Sequence, residues 1–303
     1  MSEEIGFTLI QLDHFVAVAE FGSVSGAAQQ LHVSQSALSA SVMKLEQHLG
    51  VQLLIRSPSR RVTLSPDGHA FLADARSMLR QARDVTAGAR AAGSAESGTL
   101  SLGCFLPLAP VCVPKVMHEL RRRGLDIHLD LIEGDVDTLH RAVVTGTCEV
   151  ALSYLLRPLT GVEFEIVRDM RFHAIVAAGH PLAERGEVTL AELSQFPWIR
   201  FNIPESVQVM ELLMLEAGIS VTSSMTSTSI ATIRSLVGAS DGFALLTMPW
   251  ATELTAAGDR VVRLEICDAG SRLKMGLITA PGRHPSRRTE LLKEALRTAA
   301  LSL

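Results

Sequence analysis

The residues best placed for chemistry in this sequence are small hydroxyls, amides and arginines gathered between Ser23 and Arg61. On a helix begun by Ser34, about 100° of turn per residue sets Leu38, Val42 and Leu45 on one side. Ser36, Ser39, Ala40, Met43 and Gln47 then fall on the opposite side, with Gln35 and Lys44 at its flanks. That outward side is nearly uncharged, whereas a solvated helix face more often carries Glu and Lys. A helix start offers free N–H groups and the positive end of its dipole to phosphate oxygens, and a glutamine there can bond an adenine edge. Downstream, Arg56, Arg60 and Arg61 bracket Ser57-Pro58-Ser59, a basic turn able to touch a sugar–phosphate backbone or enter a minor groove. The same spacing also fits a plain three-helix packing unit followed by a solvated turn.

These residues need elements to hold them. Leu12, Phe15, Val16 and Ala19 recur at helical spacing and predict an amphipathic helix over 9–21. A short helix over 24–31 turns Ala27, Ala28 and Leu31 inward, and His32-Val33 breaks it. Ser34 then occupies an N-cap position, and the next helix runs to Leu49 with Gly50 as its C′ glycine. Two short helices joined by a tight turn form a helix-turn-helix. The basic turn reads as a hairpin whose return strand is 62–64. From Pro66-Asp67-Gly68 a long helix runs to about Ala89, and Phe71, Ala75, Met78, Ala82, Val85 and Ala89 form an a/d seam along it. Its alanines suit close approach of a partner helix from a second copy, with packing onto the protein's own first domain as the alternative. Asp74, Arg76, Arg80, Arg83 and Asp84 are expected on wet faces.

Composition sets the outer limits. At roughly 150 residues per domain, 303 residues make two or three domains, and 47% hydrophobic with 20% charged residues excludes wholesale disorder. No apolar run approaches the ~18 residues that cross a bilayer, and the start, Met1-Ser-Glu-Glu-Ile-Gly, does not read as a secretory signal. Four cysteines, Cys104, Cys112, Cys148 and Cys267, contain no C-x-x-C pair, so a reducing, cytoplasmic setting is expected. Residues 1–98 hold 8 Lys and Arg against 9 Asp and Glu, so bulk charge gives no sign of a nucleic-acid partner. The basic residues are instead local: Lys44, Arg56, Arg60 and Arg61 stand against Glu46 alone. No G-x-S-x-G, H-E-x-x-H, phosphate-binding or dinucleotide glycine motif occurs, and the 10 histidines are scattered. No enzyme activity, metal or cofactor is expected.

A small, glycine-punctuated stretch between Ala87 and Leu100 separates an all-helical part from one where strands and helices alternate. Leu100/Leu102 and Ile127/Leu129/Leu131 alternate like half-buried strands, and 150–153 and 244–246 make two more. Helices are expected over 113–123, 136–145, 206–217, 229–237 and 287–301, the last packing back onto the first lobe, with a capping box at Thr189-x-x-Glu192. Such alternation implies mainly parallel sheets, which bind ligands at the carboxyl ends of their strands.

The run Leu12-x-x-Phe15, Ala19-Glu20-x-Gly22-Ser23, Ala27-Ala28-x-x-Leu31-x-x-Ser34-Gln35-Ser36-Ala37-Leu38-Ser39, Leu45-Glu46-x-x-Leu49-Gly50 and Leu53-Leu54-x-Arg56 resembles the N-terminal domain of LysR-type transcriptional regulators. Gly98-Thr-Leu-Ser-Leu-Gly103, Pro114, Glu133-Gly134, Gly146-x-Cys-Glu149, Gly179-His180-Pro181-Leu182, Gly238-x-x-x-Gly242 and Pro249 resemble its effector part, so the likeness covers almost the whole chain. The chain departs from the pattern at Ser36, where proline is more frequent, at Leu54, where phenylalanine is usual, and near Ala40–Ser41, where a basic residue is common.

The resemblance implies an all-α winged helix-turn-helix domain over 1–65 and a linker and dimerisation helix over 66–92. An α/β two-lobed, periplasmic-binding-protein-like effector domain follows over 98–303, one lobe being 98–163 with 268–303 and the other 164–267. It implies a sequence-specific transcriptional regulator that binds double-stranded DNA as operator half-sites, with Ser23 joining the contact residues named above. A homodimer or a tetramer built as a dimer of dimers is expected, and no membrane partner. The effector pocket is expected at Cys104, Phe105, Asp135, Ser153, Tyr154, Arg200, Phe201, Asn202 and Thr247. The family commonly binds small carboxylates. Here Cys104-Phe105 and Asp135 replace frequent hydroxyl or amide positions, which suggests a less anionic or amine-bearing effector, with Asp135 pairing a cation and Arg200 an acid; alternatively Asp135 caps the helix after it. A thiol-based redox sensor on the same DNA module is the second reading, and a solute-binding protein or enzyme a remote third.

Overall fold

A computed structural model describes residues 6–56, 61–90, 97–219, 223–270, 272–282 and 285–303. The first helix, α1 (Leu9–Phe21), starts from a capping box between Thr8 and Gln11 and stops at Gly22 in the left-handed region. Ser23 caps α2 (Val24–Gln30), and Ser34 caps α3 (Gln35–Leu49). His32, at φ 55°, turns the chain between α2 and α3. Leu12, Phe15 and Val18 of α1 meet Leu38, Val42 and Leu45 of α3 in one core. The expected inward residues Val16 and Ala19 are only half-buried, because α1 is clasped between α3 and the long helix and its apolar stripe follows that wedge.

The wing pairs β1 (Leu54–Arg56) antiparallel with β2 (Val62–Leu64), Arg56 opposite Val62. Its expected tip, 57–60, lies outside the described residues. Glu46 ties the wing to α3 by accepting the N–H groups of Leu53 and Leu54 at 2.8 and 2.9 Å. The long helix α4 (Pro66–Arg90) begins against the same strand: Ser65 Oγ accepts the Gly68 N–H at 2.9 Å, and a Cβ on Gly68 would lie 2.0 Å from the Leu53 carbonyl oxygen. Only glycine allows that approach.

The seam on α4 is divided. Phe71 meets Phe7 edge to face and Phe15 at a tilt, with ring centroids 6.5 and 5.6 Å away, and Ala75 is fully buried beside Leu72 and Leu79 in the same core. The first half of the expected intersubunit seam is therefore spent on the protein's own first domain. Of the described seam side chains, Met78 and Ala82 remain open, Met78 at 41% exposure; the side chains of Val85 and Ala89 lie outside the described set. Arg76 and Arg80, expected on wet faces, bond to other parts of the fold. Arg76 pairs with Glu20 at 2.8 Å and donates to the Thr145 carbonyl at 2.9 Å, while Arg80 pairs with Glu149 at 3.2 Å.

Beyond the linker, β3 (Ser97–Phe105) runs parallel to β4 (Asp126–Gly134) and β5 (Val150–Tyr154), and β13 (Arg272–Thr279) returns antiparallel between β5 and β6 (Glu163–Arg171). This sheet has the order β4-β3-β5-β13-β6. Helices α5 (Ala109–Arg122), α6 (Val136–Val144) and α10 (Arg287–Leu301) cover it, with α10 packed on α5.

The second sheet joins β7 (His173–Ala177), β8 (Glu187–Val188), β9 (Trp198–Phe201), β10 (Ser223–Ser227), β11 (Phe243–Leu246) and β12 (Val261–Ile266) in the order β10-β9-β11-β7-β12-β8. Around it lie α7 (Leu190–Leu193), α8 (Pro204–Glu216) and α9 (Ile230–Gly238). The chain crosses between lobes at Phe172, not at 163/164 as expected, because β6 pairs along its length with β13 and stays in the first sheet. It returns after β12, from Cys267 on.

Candidate nucleic-acid interface and interlobe cleft

Most of the described DNA-contact candidates are exposed. Ser34 Oγ accepts the Ala37 N–H at 3.1 Å and lies 3.1 Å from Ser36 Oγ, which fixes the first turn of α3. Gln35, Ser36, Ala40, Met43 and Lys44 are exposed and Ser39 is half-buried, while Leu38, Val42 and Leu45 on the other side are buried. Ser23 is half-buried, its hydroxyl taken by the Gly26 N–H at 3.1 Å. Arg56 and Arg61 are exposed at the ends of the wing, and Arg60 lies outside the described residues.

Between the lobes, Phe105, Pro107, Tyr154 and Leu273 of the first face Phe201, Ser206, Met210, Thr247, Met248 and Trp250 of the second, with Phe172 from the crossing. Phe105 and Tyr154 pack edge to face at 5.8 Å between centroids. The Tyr154 hydroxyl lies 2.9 Å from Thr247 Oγ1, a hydrogen bond from lobe to lobe. Burial pushes the Tyr154 phenol up, so it remains neutral. The free volume is about 30 Å³, room for only a few water molecules.

The chain's residues 93–301 match the family model for the LysR substrate binding domain, and residues 9–69 match that of the bacterial regulatory helix-turn-helix protein, lysR family. The chain belongs to the LysR family. It is 34% identical to the HTH-type transcriptional regulator YnfL of Escherichia coli over 64% of its own length and spans 65% of that protein. To the hydrogen peroxide-inducible genes activator of Escherichia coli O157:H7 it is 28% identical over 94% of its length and 93% of that protein's. The crystal structure of HinK, a LysR family transcriptional regulator from Pseudomonas aeruginosa, superposes with a TM-score of 0.63 at 27% identity, covering 96% of this chain and 98% of that one.

Within this LysR-type, DNA-binding regulator the cleft gathers some of the expected residues and not others. Phe105, Tyr154, Phe201 and Thr247 line it; Cys104, Asp135, Ser153, Arg200 and Asn202 do not. Asp135 caps α6, accepting the Thr138 N–H at 2.8 Å, and its hydrogen bonds with Thr138 hold its carboxyl below the usual range. Arg200 pairs with Glu211 at 2.7 Å. Cys104 and Ser153 are fully buried, and the Ser153 hydroxyl donates to the Tyr154 carbonyl at 3.2 Å. Asn202 is exposed, its N–H bonded to the Ser227 carbonyl at 2.8 Å. Sequence reasoning missed Phe172, Met210, Met248 and Trp250, since it looked for polar groups at strand ends. Trp250 had one signal, its place directly after Pro249 in a matching stretch.

His180, in the Gly179-His180-Pro181-Leu182 stretch, is structural. Its ring lies 3.1 Å from the Asp241 carbonyl on one side and accepts the Leu182 N–H at 3.1 Å on the other.

Proposed function

We propose that this regulator reads its operator with the exposed side of α3. The first turn, with Ser34, Gln35 and Ser36, approaches the groove, and Ser39, Ala40, Met43 and Lys44 follow the base edges. Ser23 and the wing residues Arg56, Arg60 and Arg61 hold the phosphates. One observation carries this reading: α3 keeps a nearly uncharged side open to solvent while its apolar side is wholly buried. Two copies, joined through the open part of α4 and the exposed Leu9 and Ile10 beside it, present two such helices to two half-sites. This regulator works in the cytoplasm, without a catalytic step.

The effector site is the interlobe cleft, and Arg76 and Arg80 couple it to the DNA module. Arg76 is hydrogen-bonded to Glu20 of α1 and to Thr147 after α6, so a shift of the first lobe pulls on both. Selecting bound fragments from random genomic DNA, with and without a metabolite extract, tests the whole scheme. Gln35→Ala should cost about 1–3 kcal/mol on the selected sequence and little on random DNA. Equal loss on both would overturn the assignment of α3.

The likeness to a peroxide-responsive activator favours a thiol switch as the second reading. Burial weighs against it, pushing Cys112 up to about 11, Cys148 up to about 12 and Cys104 well above the ordinary range. Such thiols stay protonated and react slowly. Cys267 is exposed, so an unchanged DNA response to peroxide in Cys104→Ser would count against that reading, and the same result in Cys104→Ser/Cys267→Ser would remove it.

A further inference from the structure

Among the described residues lining the interlobe cleft there is no Asp, Glu, Lys, Arg or His. The nearby cations are engaged elsewhere. Arg200 pairs with Glu211, and Arg234 lies 4.8 Å from the centre of the Trp250 ring while donating to the carbonyls of Thr252 and Leu254 at 2.6 and 3.1 Å. A carboxylate or ammonium entering this cleft would lose its hydration and find no opposite charge.

The polar groups that do line it are neutral. The Tyr154 and Thr247 hydroxyls satisfy each other, and Ser206 stands in the first turn of α8. The buried Trp250 Nε1 has no hydrogen-bond partner among the described residues. An indole N–H only donates, so it calls for an acceptor. Met210 and Met248 are unbranched and can swing aside to make room in a cleft that now holds only a few water molecules.

Resting on the cleft as the effector site, we propose that the effector is a neutral, largely apolar molecule of single-ring size carrying a hydrogen-bond-accepting oxygen, which Trp250 Nε1 engages. This differs from a small carboxylate and from the amine that Asp135 would have paired.

The test uses the full-length protein with four probes of similar shape: methyl benzoate, benzoate, benzylamine and toluene, followed by tryptophan emission and thermal midpoint. Methyl benzoate should bind saturably, with benzoate and benzylamine at least about ten-fold weaker. In Trp250→Phe, affinity for methyl benzoate, read by thermal midpoint, should fall about ten-fold while that for toluene stays constant. If that variant is poorly folded, Thr247→Val provides the check: methyl benzoate should still bind better than benzoate. Benzoate or benzylamine binding as well as methyl benzoate, no saturable binding of methyl benzoate, or an equal effect of Trp250→Phe on methyl benzoate and toluene would each overturn the proposal. Loss of DNA binding with these results intact would count against the operator reading alone.

Discussion

The outward side of α3 and the interlobe cleft are the two recognition surfaces proposed here, and they handle polarity in opposite ways. On α3 the polar groups are exposed: Gln35, Ser36 and Lys44 face water, and the helix start adds backbone donors. In the cleft they are buried, with Tyr154 and Thr247 bonded to each other across it and aromatic rings around them. The contrast follows from the partners. DNA brings its own charge and water, so a nearly neutral surface with fixed donors can bind it. A small molecule brings little surface, so its site must be mostly apolar and shielded from water.

The contrast also extends to stability, because the two regions have separate cores. The core of the DNA module is closed by α4, and the core of the effector domain is continuous through both lobes. Phe15→Ala, in the first core, should cost about 3–5 kcal/mol and lower the melting of the DNA module. Calorimetry should then show the effector-domain transition unmoved; a single transition shifted as a whole would break the comparison.

A second effect separates them by pH. Burial, followed by the charges of Arg263 and Arg234, pushes His173 down to about 3. Unfolded histidine titrates near 6.5, so the stability that neutral His173 preserves is full above that value. It is lost as pH falls from about 6.5 toward 3. Acid titration of His173→Gln should show a flatter decline for the effector domain and none of this change for the DNA module.

Smaller effects sharpen the surface side. Ser34→Ala removes the α3 cap, which should cost about 1 kcal/mol and weaken binding to all DNA sequences, measured by melting and by titration. Replacing Arg60 and Arg61 by alanine should reduce the salt slope of DNA binding by about two phosphate contacts; an unchanged slope would remove the wing from the interface. Arg76→Ala breaks the pair of a half-buried arginine with exposed Glu20, which should cost about 1 kcal/mol or less. Its expected mark is an intact DNA affinity that no longer responds to a cleft ligand.

Local signals were the legible part of this fold. Ser34 and Gly50 announced the ends of α3, Thr189 and Glu192 their capping box, and residues 287–301 the last helix, because caps and periodicity act over a few neighbours. What was not legible lay between distant segments. Strand β6 joins the first lobe only because β13 returns beside it, over 100 positions later in its register from Glu163 to Thr279. The residue types of the cleft pointed to strand ends, which yielded Phe105, Tyr154, Phe201 and Thr247. Asp135 and Arg200 were equally good candidates until α6 and Glu211 claimed them.

The sequence by itself determined which helices form, where they stop and which side of α3 stays polar, since each depends on neighbours within one or two turns. Tertiary structure alone decided that half of the α4 seam is already occupied, that Arg76 reaches two domains and that the cleft lacks charge. Those outcomes depend on which distant side chain arrives first at a shared space, and a buried charge survives only where its partner is brought to it.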